Sequence, residues 1–144
     1  MSILSHLLLF ISIFITSAFS VKVEVQSAGS GPAVVMGPTY TSHVTLYIYN
    51  ADGSKTPSGW STRQSDGAPS DSPFSFSPGK GLIEGWTEGV LQMKEGERSW
   101  LYVPASKGYG SQSMGSPGGG GFYIPANSDL LFDIEILGKA GGEL

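Results

Sequence analysis

Hydrophobic and polar residues alternate along several short segments of this chain, and the longest of these covers residues 129–137. Its apolar residues would share one face of a strand: Leu130, Phe132, Ile134 and Ile136. Its acidic residues would share the other face: Asp129, Asp133 and Glu135. A period of two is typical of a β-strand with one buried face. Residues 21–25, 42–50, 74–76 and 98–103 repeat the pattern more briefly. We therefore predict an antiparallel sheet with one buried and one solvated face.

Residues 81–97 follow the period of a helix instead. Their apolar positions are spaced by four, four and three: Leu82, Trp86, Val90 and Met93. Gly85 and Gly89 flank Trp86, although a glycine inside a helix costs about 1 kcal/mol relative to alanine. We interpret these two glycines as clearance where a short helix lies close against the sheet. Trp86 would then point into a hollow between the helix and the sheet.

Two long segments have the composition of loops. Residues 54–72 are rich in Ser, Pro, Gly and Asp, and residues 111–121 consist almost entirely of small residues. With 144 residues, the chain has room for one domain rather than two. The pattern as a whole predicts an α+β domain in which a sheet of short strands packs against one short helix.

The first twenty residues differ from the rest because they contain no charged side chain. Residues 6–19 are almost continuously apolar, which is shorter than the roughly 20 residues of a membrane-spanning helix. Ala18 and Ser20 provide the small residues that signal peptidase accepts. We predict a signal peptide over residues 1–20, cut near the Ser20–Val21 bond, and a single domain over residues 21–144. The alternative is a membrane anchor, since the usual positive charge before the apolar run is missing.

Composition and charge exclude several other classes of protein. The 8 Lys and Arg residues and 12 Asp and Glu residues give a net charge of −4 without any basic run, which argues against binding to nucleic acid. The chain contains no cysteine, so no disulfide stabilises it. The carboxylates of residues 65–72 are too few for a calcium loop. We predict no metal, no cofactor and a monomer. The last residues, GGEL, do not match the signal for retrieval to the endoplasmic reticulum, which leaves its lumen and secretion as the two expected locations.

Three segments carry recognisable motifs: PFSFSPGKGLIEGWTEGVLQMKEGER at residues 73–98, YVPASKGYG at 102–110 and IPANSDLLFDIEIL at 124–137. In the same order, they resemble the signatures of the FKBP-type peptidyl-prolyl cis-trans isomerases. The resemblance extends from about Val23 to Leu137. It implies a five- to six-stranded antiparallel half-barrel wrapped around one short helix, with an apolar, aromatic-lined pocket for a proline ring.

The resemblance also implies roles for individual residues. Trp86 would form the floor of the pocket, the Ile83 backbone N–H would hold the substrate carbonyl, and Tyr109 would supply a hydroxyl at the rim. Phe132 would form one aromatic wall of the pocket. The expected catalytic residues are therefore Ile83, Trp86, Tyr109 and Phe132. The expected substrate-binding positions add a larger set: Leu46, Trp60, Ser61, Phe74, Leu82, Tyr123 and Ile124.

One departure from the family pattern falls in residues 59–63. There Trp60 aligns with a family phenylalanine, which puts Ser61 where the family has an aspartate. A serine cannot carry the charge of that aspartate, and the nearest acidic residue is Asp66. We therefore expect the pocket to lose part of its polar rim.

A second departure concerns the strand at residues 42–50. The family's pocket tyrosine is replaced there by Leu46 or Val44. Tyr47 is expected to face outward, because a shift by one residue would turn every apolar neighbour of the strand towards water.

The resemblance implies a peptidyl-prolyl cis-trans isomerase that acts on X-Pro bonds during protein folding in the secretory pathway, with reduced efficiency because the acidic rim residue is missing. Its partners would be proline-containing polypeptides, and macrolides of the FK506 or rapamycin type are possible ligands. The alternatives are a non-catalytic module that binds prolyl peptides or macrolides, and a folding chaperone. The loop at residues 111–121 is interpreted as a mobile lid, with recruitment of a partner protein as the alternative.

Overall fold

The computed structural model describes residues 20–118 and 121–141. Six of the eight strands in these residues form one antiparallel sheet. The sheet is formed by β1 (Lys22–Ser27), β2 (Tyr40–Tyr49), β3 (Lys55–Ser61), β4 (Phe74–Phe76), β5 (Arg98–Val103) and β8 (Asp129–Lys139). A separate two-stranded ribbon contains β6 (Met114–Gly115) and β7 (Tyr123–Ile124). The helix is α1 (Glu84–Val90), and 3₁₀ turns cover Gln64–Asp66 and Ala105–Lys107.

The strands lie in the order β1-β5-β8-β2-β3, while β4 pairs with the first residues of β2. Strands β2 and β8 form the centre of the sheet and are the two longest strands of the described residues. The expected antiparallel sheet with one helix is confirmed. All four apolar residues of the predicted inner face of β8 are buried: Leu130, Phe132, Ile134 and Ile136.

Helix α1 packs against β5 through its two glycines, as their spacing predicted. A Cβ atom added to Gly89 would lie 2.6 Å from Leu101 Cδ1, and one added to Gly85 would be closer still to Val103 Cγ1. The helix is shorter than the segment with helical spacing. Leu82 precedes it and Met93 follows it in a turn, although Met93 is fully buried.

The prediction that residues 54–72 form a loop was wrong in its first part, because β3 occupies Lys55–Ser61. Pro57 and Gly59 give this segment a low strand propensity. It nevertheless pairs with β2 at the edge of the sheet, where a residue without an N–H is tolerated. In the same way, β6 and β7 form a short ribbon partly inside the predicted loop at 111–121.

The outer face of β8 is less solvated than the alternation indicates. Asp133 is only 6 % exposed and Leu131 is buried, whereas Asp129 is exposed as expected. Asp133 is buried because Arg63, from the segment after β3, extends over this face of the sheet. Arg63 and Asp133 are far apart in sequence, so the alternation of residues along β8 cannot indicate their contact.

The predicted signal peptide lies outside the described residues except for Ser20, which is exposed. Within residues 20–118 and 121–141, no helix is long and apolar enough to cross a membrane.

Candidate functional site

An apolar pocket of about 370 Å³ opens between helix α1 and the inner face of the sheet. Aromatic and aliphatic side chains provide most of its wall. Its lining residues are Leu46, Trp60, Phe74, Gly81, Leu82, Ile83, Trp86, Tyr109, Phe122 and Phe132. The volume lies near the lower end of the range of small-molecule sites in proteins.

Trp86 forms the base of this pocket, and three phenylalanine rings hold its indole in place. The ring of Phe132 lies edge-to-face at 5.1 Å between centroids, that of Phe76 at 5.3 Å and that of Phe74 at 5.7 Å. Such edge-to-face pairs favour a fixed ring orientation. The side chain is 3 % exposed, yet its Nε1–H has no hydrogen-bond partner among the described residues. The indole is therefore fixed from the sides and open towards the pocket.

Trp60 and Phe74 continue the aromatic wall towards the solvent. Their rings are perpendicular at 5.7 Å, and Phe74 in turn contacts the base of the pocket. Leu46 of β2 lines the pocket from the sheet, as one of the two expected alternatives predicted. Tyr47 faces the other way, where the Nζ atom of Lys55 lies 4.4 Å from its ring centroid.

Besides the indole N–H of Trp86, two hydrogen-bond donors at the pocket have no acceptor among the described residues. The Tyr109 hydroxyl has no partner among the described residues, and burial raises its pKa, so it remains a protonated donor at neutral pH. The Ile83 backbone N–H, immediately before helix α1, also donates to none of the described groups. Both donors are available to a ligand that brings its own carbonyl oxygens.

Three residues expected at the pocket are not among those that line it. Ile124 is buried in the core, and Tyr123 lies on β7 opposite Gly115. Phe122, which is not among the expected site residues, lines the pocket instead. Alternation along residues 122–124 places Phe122 and Ile124 on one face and Tyr123 on the other, but it does not say which face meets the pocket, and the pairing of β6 with β7 decides that.

Ser61 is the third of these residues, and it points to the outer face of the sheet. Its hydroxyl lies 2.8 Å from Thr45 Oγ1, which donates to Asp66 Oδ2 at 2.6 Å. Asp66, the acid nearest to Ser61 in the sequence, is therefore linked to Ser61 through Thr45. Both residues lie on the outer face of the sheet, away from the pocket. No acidic residue lines the pocket in the described part of the chain.

Arg63 joins these groups to the centre of the sheet. It donates to Thr45 Oγ1 at 3.1 Å and to the Asp133 carbonyl at 2.9 Å, and its guanidinium lies 3.8 Å from the Asp66 carboxylate. Arg98 holds the Asp133 carboxylate in a bidentate pair with both distances at 2.9 Å. We call this set of side chains the outer-face network: Thr45, Ser61, Arg63, Asp66, Arg98 and Asp133. It attaches the segment after β3 to the sheet directly behind the pocket wall.

The chemistry available to the pocket is that of an apolar cavity with a few N–H and O–H donors that no described residue binds. Among the described residues, no group of three or more His, Cys, Asp or Glu side chains is placed to hold a metal ion. The pocket lining contains no Ser, Cys, His, Asp or Glu side chain that could act as a nucleophile or a base. This arrangement suits a reaction in which no bond forms or breaks.

Comparisons with known proteins agree with this geometry. A family model described as FKBP-type peptidyl-prolyl cis-trans isomerase matches residues 33–137. The chain is 37 % identical over 120 residues to FK506-binding protein 1 of Aspergillus oryzae, covering 81 % of this chain and 96 % of that protein. It is 39 % identical over 118 residues to the peptidyl-prolyl cis-trans isomerase FKBP12 of Vicia faba, with the same coverage of 81 % and 96 %.

A solved structure gives the same result at the level of the fold. The N-terminal domain of FKBP42 from Arabidopsis thaliana superposes with a TM-score of 0.66 at 25 % identity. The superposition covers 83 % of this chain and 86 % of that domain.

Proposed function

We propose that this chain, which belongs to the FKBP-type peptidyl-prolyl cis-trans isomerases, turns X-Pro bonds of polypeptides that fold in the secretory pathway. The observation that carries the proposal is the pocket itself: an apolar cavity with Trp86 at its base and two unpaired donors at its edge. The apolar leader at residues 1–20 supports the secretory location.

The reaction requires rotation about an amide bond rather than chemistry on it. The barrier of about 18–20 kcal/mol reflects the loss of amide resonance when the bond twists. A twisted amide carries less separated charge than a planar one, so an apolar pocket favours it over the ground state. The pocket therefore needs no nucleophile, metal or proton relay.

The described contacts support a role for each donor. A proline ring would stack on the Trp86 indole, between Phe74 and Phe132. The Ile83 N–H would bind the carbonyl of one flanking residue, and the Tyr109 hydroxyl would bind a second backbone group of the peptide. These hydrogen bonds would hold the flanking backbone in place while the prolyl bond rotates.

We further propose a lower efficiency than in members that have an acid at the rim. Ser61 points away from the pocket, and Asp66 pairs with Thr45 and Arg63 on the outer face. A substrate group at that corner would meet apolar side chains instead of a carboxylate, which removes one charge-assisted contact with the twisted state.

The test is a protease-free isomerisation assay on an Ala-x-Pro-Phe peptide with matched tryptophan variants. Trp86→Leu should lower kcat/KM at least about tenfold, which corresponds to about 1.4 kcal/mol of lost transition-state binding. Trp100→Leu is the control, because Trp100 is half-buried on the outer face and does not line the pocket. Circular dichroism melts would show that both variants are folded. No rate above background for the wild type at micromolar concentration would overturn the proposal.

A second candidate function is a binding module for prolyl peptides or macrolides without turnover. The absence of an acid from the pocket lining favours it, and the relatives named FK506-binding protein suggest the ligand class. Titration with FK506 or rapamycin, followed by the fluorescence of Trp86 and Trp60, separates the two functions. Tight binding together with no measurable catalysis would favour the module.

A further inference from the structure

The domain begins with a residue that is buried and held by two polar side chains. Val21 is 4 % exposed and belongs to the hydrophobic core, whereas Ser20 before it is exposed. The Val21 backbone nitrogen lies 3.1 Å from Glu88 Oε1. Its carbonyl oxygen accepts a hydrogen bond of 3.4 Å from Gln92 Nε2. Both partners project from α1 or the turn that follows it, so the start of the domain is attached to the helix.

Glu88 is a carboxylate with two nitrogen partners, one for each oxygen. Oε1 accepts from the Val21 nitrogen, and Oε2 pairs with the ammonium of Lys107. Lys107 belongs to the 3₁₀ turn after β5. A carboxylate binds a charged donor more strongly than a neutral one. The neutral peptide N–H of Val21 is therefore a weaker partner for Glu88 than an ammonium would be.

We propose that the chain is cut between Ser20 and Val21 and that the new α-ammonium of Val21 forms a partly buried ion pair with Glu88. The inference rests on the secretory part of the proposed function and adds a structural role for the cut. A signal peptidase would add water across this peptide bond. The C–N bond breaks, the Ser20 carbonyl becomes a carboxylate, and the Val21 nitrogen gains a proton and becomes an amine that is protonated at neutral pH.

The geometry selects this one bond. In a chain that began one residue earlier, the nitrogen that contacts Glu88 would be a peptide N–H, and in a chain that began one residue later it would be missing; in both cases the terminal ammonium would be displaced by about 3.8 Å along the chain. The small residues Ala18 and Ser20 mark the same bond in the sequence. The burial of Val21 and the acceptance of its nitrogen by Glu88 are independent of those two residues.

The charges around the site favour an ammonium at this position. Glu88 contacts the nitrogen directly, whereas the competing cation, Lys107, binds the opposite carboxylate oxygen. On the strand side, the depression that contains Ser20 is lined by a small set of charged or titratable side chains: Lys22, Tyr49, Tyr102 and Asp129. Glu88 is the acid in direct contact, so the pKa of the α-ammonium should lie above the ordinary value of about 7.7–8.0.

The first experiment expresses the full chain in a eukaryotic secretory host and measures the intact mass and N-terminal sequence of the product. The expected product begins at Val21. A product that keeps residues 1–20, or one that begins at another residue, overturns the proposal. The isomerase assay on the same sample is a separate measurement, so a failure of processing is distinguished from a failure of the proposed activity.

The second experiment measures the α-amine of the recovered protein by NMR after ¹⁵N-valine labelling, as a function of pH. The wild-type amine should titrate above about 8, and Glu88→Gln should return it to the ordinary range. Glu84→Gln is the matched control, because Glu84 is exposed on the same helix and has no ion-pair partner among the described residues. A wild-type amine that titrates at the ordinary value, or one that Glu88→Gln does not shift, overturns the ion pair.

Discussion

At the rim of the pocket, Tyr109 offers a hydroxyl that no described residue binds. Burial raises its pKa, so the group stays protonated through the neutral range and can act as a donor there. An unpaired donor next to an apolar cavity is costly unless a ligand or water satisfies it. This residue is therefore a sensitive probe of how substrate is held.

Tyr109→Phe should lower kcat/KM about three- to tenfold, the equivalent of one ordinary hydrogen bond of about 0.5–1.5 kcal/mol. The thermal stability should change little, because the hydroxyl has no protein partner to lose. Tyr47→Phe is the matched control on the outer face and should leave kcat/KM unchanged. Equal effects of the two variants on catalysis would contradict the assigned role of Tyr109.

Thr45 stabilises the fold rather than binding substrate, because its hydroxyl lies at the centre of the outer-face network. One hydroxyl receives hydrogen bonds from Ser61 and Arg63 and donates to Asp66, and the side chain is 4 % exposed. Removing it would leave three polar groups of the outer-face network without one of their partners. A buried polar group that loses its partner costs about 1–3 kcal/mol.

Thr45→Val keeps the shape of the side chain and should lower the free energy of unfolding by about 2–3 kcal/mol. Thr41→Val on the same strand is the control, since its hydroxyl makes a single bond of 3.4 Å to the Gly138 carbonyl. Urea denaturation of both variants measures the difference. If the two variants unfold at the same urea concentration, the network does not stabilise the domain.

At the scale of the secondary-structure elements, the contact between α1 and β5 explains the two helical glycines. The space available to a methyl group differs between them. At Gly85 an added Cβ would meet the β-branched Val103 and lie 3.0 Å from the Lys107 carbonyl oxygen. At Gly89 it would meet the terminal carbons of Leu101, which can move more easily.

Gly85→Ala should therefore destabilise the domain by about 1–3 kcal/mol through overpacking, in spite of the gain of about 1 kcal/mol in helix propensity. Gly89→Ala should cost less, because Leu101 can change its rotamer. Thermal unfolding of the two single variants compares them directly. A smaller loss for Gly85→Ala than for Gly89→Ala would show that the closeness of β5 is not what requires the glycine.

Comparison of the predicted with the observed strands shows which elements the alternation of hydrophobic residues predicts and which it misses. Strands with clear alternation, such as β5 and β8, were predicted at or close to their observed bounds. Strand β3 was missed because its Pro57 and Gly59 are poor strand formers, and its pairing with β2 compensates for them. Ribbon β6–β7 was missed for the same reason, since Gly115 lies within a segment of loop composition.

At the scale of the whole molecule, Glu88 connects Val21, the helix and the turn after β5. The hydrogen bond from Lys107 lowers the pKa of Glu88 below its usual value of 4.5, and the Val21 N–H acts in the same direction. A carboxylate with a lowered folded pKa stabilises the fold above its unfolded pKa. That contribution is lost as the pH falls through the lower, folded value.

We expect wild-type protein at pH 7 to be more stable than Glu88→Gln by about 1 kcal/mol or less, as for other partly exposed ion pairs. This advantage should shrink as the pH falls below 4.5 and disappear once Glu88 is protonated in both states. Melting temperatures measured between pH 3 and 7 give the comparison, and an advantage that grows on acidification would contradict the sign.

The sequence by itself determined the family, the inner face of the sheet and most of the pocket. These features depend on periods of two and 3.6 residues and on ordered motifs, which are properties of neighbouring residues. Trp86, Phe132 and Leu46 line the cavity, as the resemblance of the motifs to the family implied.

Only the tertiary structure decided which rim residues face the pocket and where the acid lies. Phe122 rather than Tyr123 lines the cavity because the pairing of β6 with β7 sets the register. Ser61 faces outward, and Arg63 meets both Asp66 and Asp133 there, because an edge strand and the segment after it fold over the sheet. Register and long-range ion pairs depend on residues far apart in the chain, so no local period of hydrophobicity encodes them.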